Sequence, residues 1–559
     1  MTTAREVLFY FPSPPSPDAV EWHGDSIGRS DLITRTRSRT RVHDKTIDAT
    51  PGRREHLLNA AIAHIVRRAG REPIALHDVV IHGVRVRAIT NSPHLMHFWR
   101  QNWYSPEEWQ EVTGDPPPAE PRIVVYALGG VAEEAEAAYY SRQTNTIIFF
   151  NTSYYGQLKS WVLGAVGRVL AAEQGIHSIH GACVEYDGSG VLYIAPTGTG
   201  KSTSSYGLMS YPATRFHSDD WVYVRYAWTT RSGQRVVPYE ITIDGRVVAR
   251  GYQCGRWLSE HPGAIGVARC RDLANHEAVI SLSELDWDRP VEAYAYTSEK
   301  VFYLRTNLVE SFPLVADAIL GSDLENVPSP TPEFLTANRA ILDTIIQELR
   351  ETDRPGIRQR LGALPEERLR WLVAALVAFD NARAMLDIAQ VFDPARVFTN
   401  PMEPVHLTTV FLLKRNPADP TVLQALSLDD FMGRLLVGLT PDNRREIAYN
   451  AYRAVDDEAE RRAVEVLEER AARNGTTLYA EFERASEMPE SLREEFELFR
   501  QLYRATFCYD LNTILQVDPR ISTKKEAVRL TLQLILYGIK NRSRDLQLTL
   551  ATYRDHIAG

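Results

Sequence analysis

The chain has 559 residues, with 63 Lys plus Arg against 72 Asp plus Glu and a formal charge of -9. Hydrophobic residues make up 44% and charged residues 24%, a composition that excludes a disordered, collagen-like or disulfide-scaffold chain. The acidic balance supplies no global field to recruit nucleic acid or anionic lipid. Such a length corresponds to about three to four domain-sized units, or to one enzyme core with large additions.

The opening MTTAREVLFYFPSPP has neither a basic start nor a long apolar stretch, so no secretory signal is expected. The longest apolar run, Trp371 to Phe379, is under half of the roughly 20 residues a membrane helix needs, and a cytoplasmic protein with no membrane partner is expected. Residues 1–155 mix β-type runs (EVLFYF, PRIVVYAL, NTIIFF) with the helical HLLNAAIAHIVRRAG, which predicts an α/β N-terminal lobe. Apolar residues at three and four spacing predict a helix from Gln157 to Glu173. IHGACVEYDGSGVLYIA places two β-rich runs around an Asp-Gly pair, the signal of a hairpin. The core is read as 156–320 together with 400–440, the latter holding the strand-like PVHLTTVFLLK. Residues 321–399 read as a helical insert and 441–559 as a helical C-terminal region. Within that last region FCYDLNTILQ, with Asn512 and Thr513, reads as a buried helix junction rather than as a return to the cleft. Four scattered cysteines, Cys183, Cys254, Cys270 and Cys508, show no metal-site spacing and read as reduced core residues.

Chemistry concentrates after the hairpin. Ala195-Pro196-Thr197-Gly198-Thr199-Gly200-Lys201-Ser202 matches the phosphate loop G-x-x-x-x-G-K-[ST] except at its first position. Gly198 and Gly200 let backbone N–H groups turn inward, Lys201 supplies a point charge to the outer phosphates, and Ser202 offers a hydroxyl to Mg²⁺. A strand (VLYIA) precedes the loop and a short helix follows, so Pro196, Thr197, Gly198, Thr199, Gly200, Lys201, Ser202 and Thr203 form the candidate nucleotide-binding stretch. Eighteen residues after Lys201 come Asp219 and Asp220 in RFHSDDWVYVRY, whose flanks read as a strand. Alternation would turn the two carboxylates to opposite faces, one toward a metal and one toward an acceptor hydroxyl, the division that phosphoryl transfer needs. Alone, such a pair reads as a solvated strand end. His180 precedes the loop by one hairpin; His177, His217 and His406 read as ordinary core or surface residues.

The order His180-Gly181, hairpin, GVLYIAPTGTGKST, HSDDW resembles the catalytic core of HPr kinase/phosphorylase, and equally the nucleotide site of ATP-dependent phosphoenolpyruvate carboxykinase, two families of one superfamily. The likeness covers about residues 176–226, with weaker echoes in KVFYLRTN and VHLTTVFLLK. It implies a P-loop-containing mixed-sheet α/β core with ATP and Mg²⁺ (or Mn²⁺) as cofactors. Lys201 and Ser202 would bind phosphate and metal, Asp219 would be the metal ligand and Asp220 the catalytic base, and His180 would lie at the metal or the transferring phosphate. Arg305 resembles the phosphate-facing arginine of the kinase family, and Glu240, in VPYEI, is a candidate second metal carboxylate.

The C-terminal signature of a true HPr kinase and the oxaloacetate-binding pattern of a carboxykinase are both missing. The expected activity is therefore Mg²⁺-ATP-dependent phosphorylation of a hydroxyl on a small molecule or peptide. The alternatives are a carboxykinase-type lyase acting on an oxo-acid and a non-catalytic ATP-binding regulator. No nucleic-acid partner is expected, and a homo-oligomer is left open.

Overall fold

The computed structural model describes residues 8–10, 20–21, 48, 50–71, 73–132, 134–135, 137–151, 155–195, 199–305, 329–351, 364–378, 383–387, 393–439, 445–447 and 457–557. The chain is mixed α/β and divides into two units, Met1–Val162 with Glu299–Pro394, and Leu163–Ser298 with Ala395–Gly559.

The first unit holds a five-stranded sheet, β1 (Ala75–Ile81), β2 (Val84–Thr90), β3 (Ile123–Leu128), β4 (Ala137–Ser141) and β5 (Thr146–Phe150), in the order β1-β2-β3-β5-β4. β2, β3 and β5 run parallel, and β1 and β4 are antiparallel edges. Parallel neighbours need a long crossover, which the helices Pro93–Asn102 and Pro106–Thr113 supply between β2 and β3. The helix α1 (Arg53–Arg68) seats Leu57 and Ala61 on Leu128, Ile148 and Phe150. Asp78 on β1 is clamped by Arg85 and Arg87 of β2, each through a 2.7 Å bond from Nε. Burial raises this carboxyl, but the two guanidinium bonds outweigh it and leave it below the usual carboxylate range. A second sheet joins the strands Leu8–Tyr10, Val301–Arg305 and Arg383–Asp387, so the insert read as helical contributes a strand.

The second unit is built on one large sheet. Its strands in chain order are β6 (His177–His180), β7 (Ala182–Tyr186), β8 (Ser189–Ile194), β9 (Thr214–Ser218), β10 (Trp221–Thr229), β11 (Arg235–Ile243), β12 (Arg246–Arg250), β13 (Val267–Asp272), β14 (Glu277–Ser281), β15 (Glu292–Thr297), β16 (Val405–Lys414), β17 (Thr421–Ala425), β18 (Phe507–Asn512) and β19 (Gln547–Thr549). The main path is β9-β7-β8-β16-β15-β10-β11-β13-β14. β7 and β8 form the expected hairpin, closed by Asp187 and Gly188 at φ 49° and 72°, the positive-φ pair that a two-residue turn demands. β8 and β18 both run parallel to β16. Three strands whose carboxyl ends point one way come together although Val191 pairs with Thr409 and Thr409 with Phe507, and such ends are where α/β sheets place ligands.

The core of this unit packs Ile179, Cys183, Leu192, Ile194, Val222, Val410 and Leu412 with Phe431, Phe496 and Phe499. All four cysteines are free and buried. The region after residue 441, read as helical, does carry α3 (Glu490–Ala505) and α4 (Lys524–Asn541), but it also supplies β18 and β19 to the sheet. No helix among the described residues is long and apolar enough to cross a membrane.

Candidate functional site

Register positions the first residue of the site. β6 pairs antiparallel with β10 so that His180 faces Trp221, which sets His180 beside Asp220. Gly181 then carries the chain over to β7; a Cβ there would lie 2.9 Å from the Tyr193 carbonyl oxygen, so the passage requires glycine. At the end of β8, Ala195 is buried, Pro196, Thr197 and Gly198 lie outside the described residues, and the chain is described again at buried Thr199. Gly200, at φ 108°, caps α2 (Lys201–Leu208), and its carbonyl accepts from Ser204 N at 2.9 Å. A strand before and a helix after these residues follow in the order that the motif requires. The side chain of Ser202 is outside the described set, and Thr203 lies in the first turn of α2.

Three charged or titratable side chains converge here. Lys201 Nζ lies 3.1 Å from His180 Nε2 and 3.5 Å from Asp220 Oδ1, and His180 Nε2 lies 3.1 Å from the same carboxylate oxygen. Their side chains are only 10–13% exposed. One imidazole nitrogen cannot accept from the ammonium and donate to the carboxylate at once, so the tautomer of His180 decides which of the two contacts is a hydrogen bond of Nε2. The indole of Trp221 lies 5.7 Å from the His180 ring and donates to Ser178 Oγ at 2.7 Å. Ser218 Oγ donates to the Trp221 carbonyl at 2.7 Å, which fixes the intervening bend.

That bend corrects the sequence expectation for the acidic pair: Asp219 and Asp220 sit between β9 and β10 rather than within a strand. They still diverge. Asp219 Oδ2 accepts from Tyr206 on α2 at 3.0 Å, while Asp220 turns to Lys201 and His180.

The segment after β18 returns to the loop, so the helix-junction reading is overturned. Thr513 Oγ1 lies within donating distance of the Thr199 carbonyl, at 2.8 Å, and of the Lys414 carbonyl, at 3.1 Å. Asn512 Nδ2 donates to the carbonyls of Asn416 and Asp419 at 3.0 and 2.9 Å, which ties the turn after β16 to the end of β18. Lys414 pairs with Asp419 and Asp510 at 2.6 and 2.5 Å, whereas Arg415 Nε reaches Thr513 Oγ1 at 3.4 Å. Sequence reasoning passed over Lys414-Arg415 as a strand end; the available signal was a basic pair closing an apolar run.

Arg305 ends a strand of the first unit, opposite Arg383. Glu240 belongs to a cross-strand ion pair instead of the acidic cluster, its carboxylate 2.9 Å from Arg250 and 4.0 Å from Arg269. His177 binds the Tyr226 hydroxyl at 2.8 Å, and burial holds its imidazole below the ordinary value. His217 is pushed down by burial to about 3. His406 stacks on Tyr294.

Among the described residues no three His, Cys, Asp or Glu side chains gather into a metal cage. Mg²⁺ held with substrate phosphates needs only one or two carboxylates and keeps its waters; Asp219 and Asp220 are the carboxylates here that could hold it. Compared with known proteins, the chain matches no family model and no curated protein.

Proposed function

We propose that the second unit is a kinase of the HPr kinase-like type, transferring the terminal phosphate of Mg²⁺-ATP to a hydroxyl on a small molecule or peptide. The observation that carries this reading is the convergence of His180, Lys201 and Asp220 within 3.5 Å at the start of α2. A binding-only site needs the lysine but has no use for a carboxylate that competes with phosphate for it.

In this reading the loop from Pro196 to Thr203 cradles the phosphates through its backbone, and Lys201 leaves Asp220 to meet them. Asp220, released from the ammonium, accepts the hydroxyl proton, and His180 beside it takes up or returns a proton as the local charge changes. Asp219 and Ser202 would hold Mg²⁺, which neutralises charge on the phosphoryl oxygens when bound. Tyr206 orients Asp219 by its hydroxyl bond. Incubating the full chain with Mg²⁺-ATP labelled in the terminal phosphate and a size-fractionated cell extract tests the proposal. Transfer to a small or peptide species that is stable to removal of nucleotide supports it; label appearing only as unchanged ATP in every fraction counts against it.

A further inference from the structure

Lys201 is one cation of the site, and the parallel strand ends bring a second beside it. β16 pairs with β8 up to Ile194 opposite Leu412 and with β18 up to Lys414 opposite Asn512. The next residues, Arg415 and Thr513, therefore stand level with each other at the ends of the strands that flank the loop. Thr513 bonds the loop carbonyl of Thr199, and a Cβ at Gly200 would sit 3.6 Å from its methyl group. Arg415 reaches the same Thr513 hydroxyl.

The neighbouring cations are neutralised. Lys414 holds Asp419 and Asp510, Arg434 holds Asp510 at 2.7 Å, and Lys201 lies against Asp220. Arg415 contacts a hydroxyl, and no carboxylate among the described residues pairs with its exposed side chain. A guanidinium left without an acid at the rim of a phosphate loop has the charge and the forked donors that phosphate oxygens match.

Resting on the nucleotide reading above, we infer that Arg415 binds the outer phosphates of the nucleotide and makes the site select tri- and diphosphates over monophosphates, with Thr513 as the positioning residue that joins it to the loop. Because Arg415 follows a strand and Thr513 anchors the loop from the far end of the chain, the C-terminal segment is part of the nucleotide site.

The test measures binding of ATP, ADP and AMP to the full chain by calorimetry, for wild type, Arg415→Ala, Arg415→Lys and Lys201→Ala. Loss of charge-assisted phosphate bonds should weaken ATP about 10- to 100-fold in Arg415→Ala, leave AMP unchanged, and be partly recovered in Arg415→Lys, which keeps the charge and confirms a folded site. Equal losses for ATP and AMP, or wild-type ATP affinity in Arg415→Ala while Lys201→Ala fails to bind, would overturn the assignment to Arg415 alone. If wild type binds none of the three nucleotides, the phosphate-loop reading itself falls, and the inference with it.

Discussion

Asp220→Asn separates chemistry from binding, because it keeps the shape of the side chain and removes its charge. Asp220 Oδ1 lies 3.5 Å from Lys201 Nζ, and with an effective dielectric between about 80 and 20 that pair is worth about 1 to 5 kcal/mol. Phosphate must overcome this attraction to recruit Lys201. Removing it should leave ATP affinity unchanged or tighten it, by about tenfold for each 1.4 kcal/mol released. Turnover should move the other way and fall about 10²- to 10⁴-fold, the usual contribution of a general base. The assay pairs calorimetric titration of ATP, with and without Mg²⁺, with the rate of terminal-phosphate transfer to the acceptor found in extract. Asp219→Asn, which removes the charge of the carboxylate that Tyr206 holds, should instead raise the Mg²⁺ concentration needed for half-maximal rate. An Asp220→Asn protein that binds ATP ten times more weakly and keeps its turnover would refute the competition argument and the base assignment together.

Lys201→Ala should abolish transfer and weaken ATP binding, and excess chelator should stop transfer by the wild type; activity surviving either treatment contradicts the site. Gly190→Ala should cost about 1–3 kcal/mol in urea unfolding, because a Cβ there would meet Val405 Cγ1 at 2.6 Å and the His406 carbonyl oxygen at 2.7 Å; unchanged stability would mean that β8 and β16 can part without penalty. Burial holds the imidazoles of His177 and His217 below their ordinary 6.5. Below that pH the unfolded chain takes up protons that the fold refuses, so stability is complete above about 6.5 and falls as the pH drops, by at most about 1.4 kcal/mol per pH unit for each histidine. His177→Asn, which keeps a polar partner for Tyr226, should flatten that slope in urea unfolding followed against pH, and an identical slope would place the proton uptake elsewhere.

Much of the second unit was legible because its signals are local. Asp187-Gly188 is a turn by its own backbone preference, the three and four spacing gave a helix that the structure runs from Tyr155 to Gln174, and the apolar run 404–414 became β16. The strand Phe507–Asn512 was hidden for the opposite reason. It follows the 16-residue helix α3 after a single residue, and its partner β16 lies about a hundred residues upstream in parallel register. Six residues with one buried carboxylate among them carry no periodicity strong enough to outvote the helix before them.

The same distinction governs the site. Lys201 was visible because its chemistry is written in a contiguous motif, whereas the meeting of His180 with Asp220 depends on the antiparallel register that places His180 opposite Trp221. Glu240 shows the converse: it is the right residue type at a plausible spacing, but spacing along a chain does not fix distance once strands intervene. Glu240 lies between two arginines on β11–β13, where a carboxylate lowers the repulsion of a cationic strand surface. Arg415 inverts that case, since as a lone basic residue after an apolar run it has no motif. What marks it is the carboxylate that Lys414 has and Arg415 lacks, a difference that exists only after β16, β17 and β18 have paired and brought Asp419 and Asp510 to one side of the turn. An acid partner for Arg415 would have closed the rim of the loop with an internal salt bridge; its absence among the described residues leaves a guanidinium for which an incoming phosphate is the matching anion.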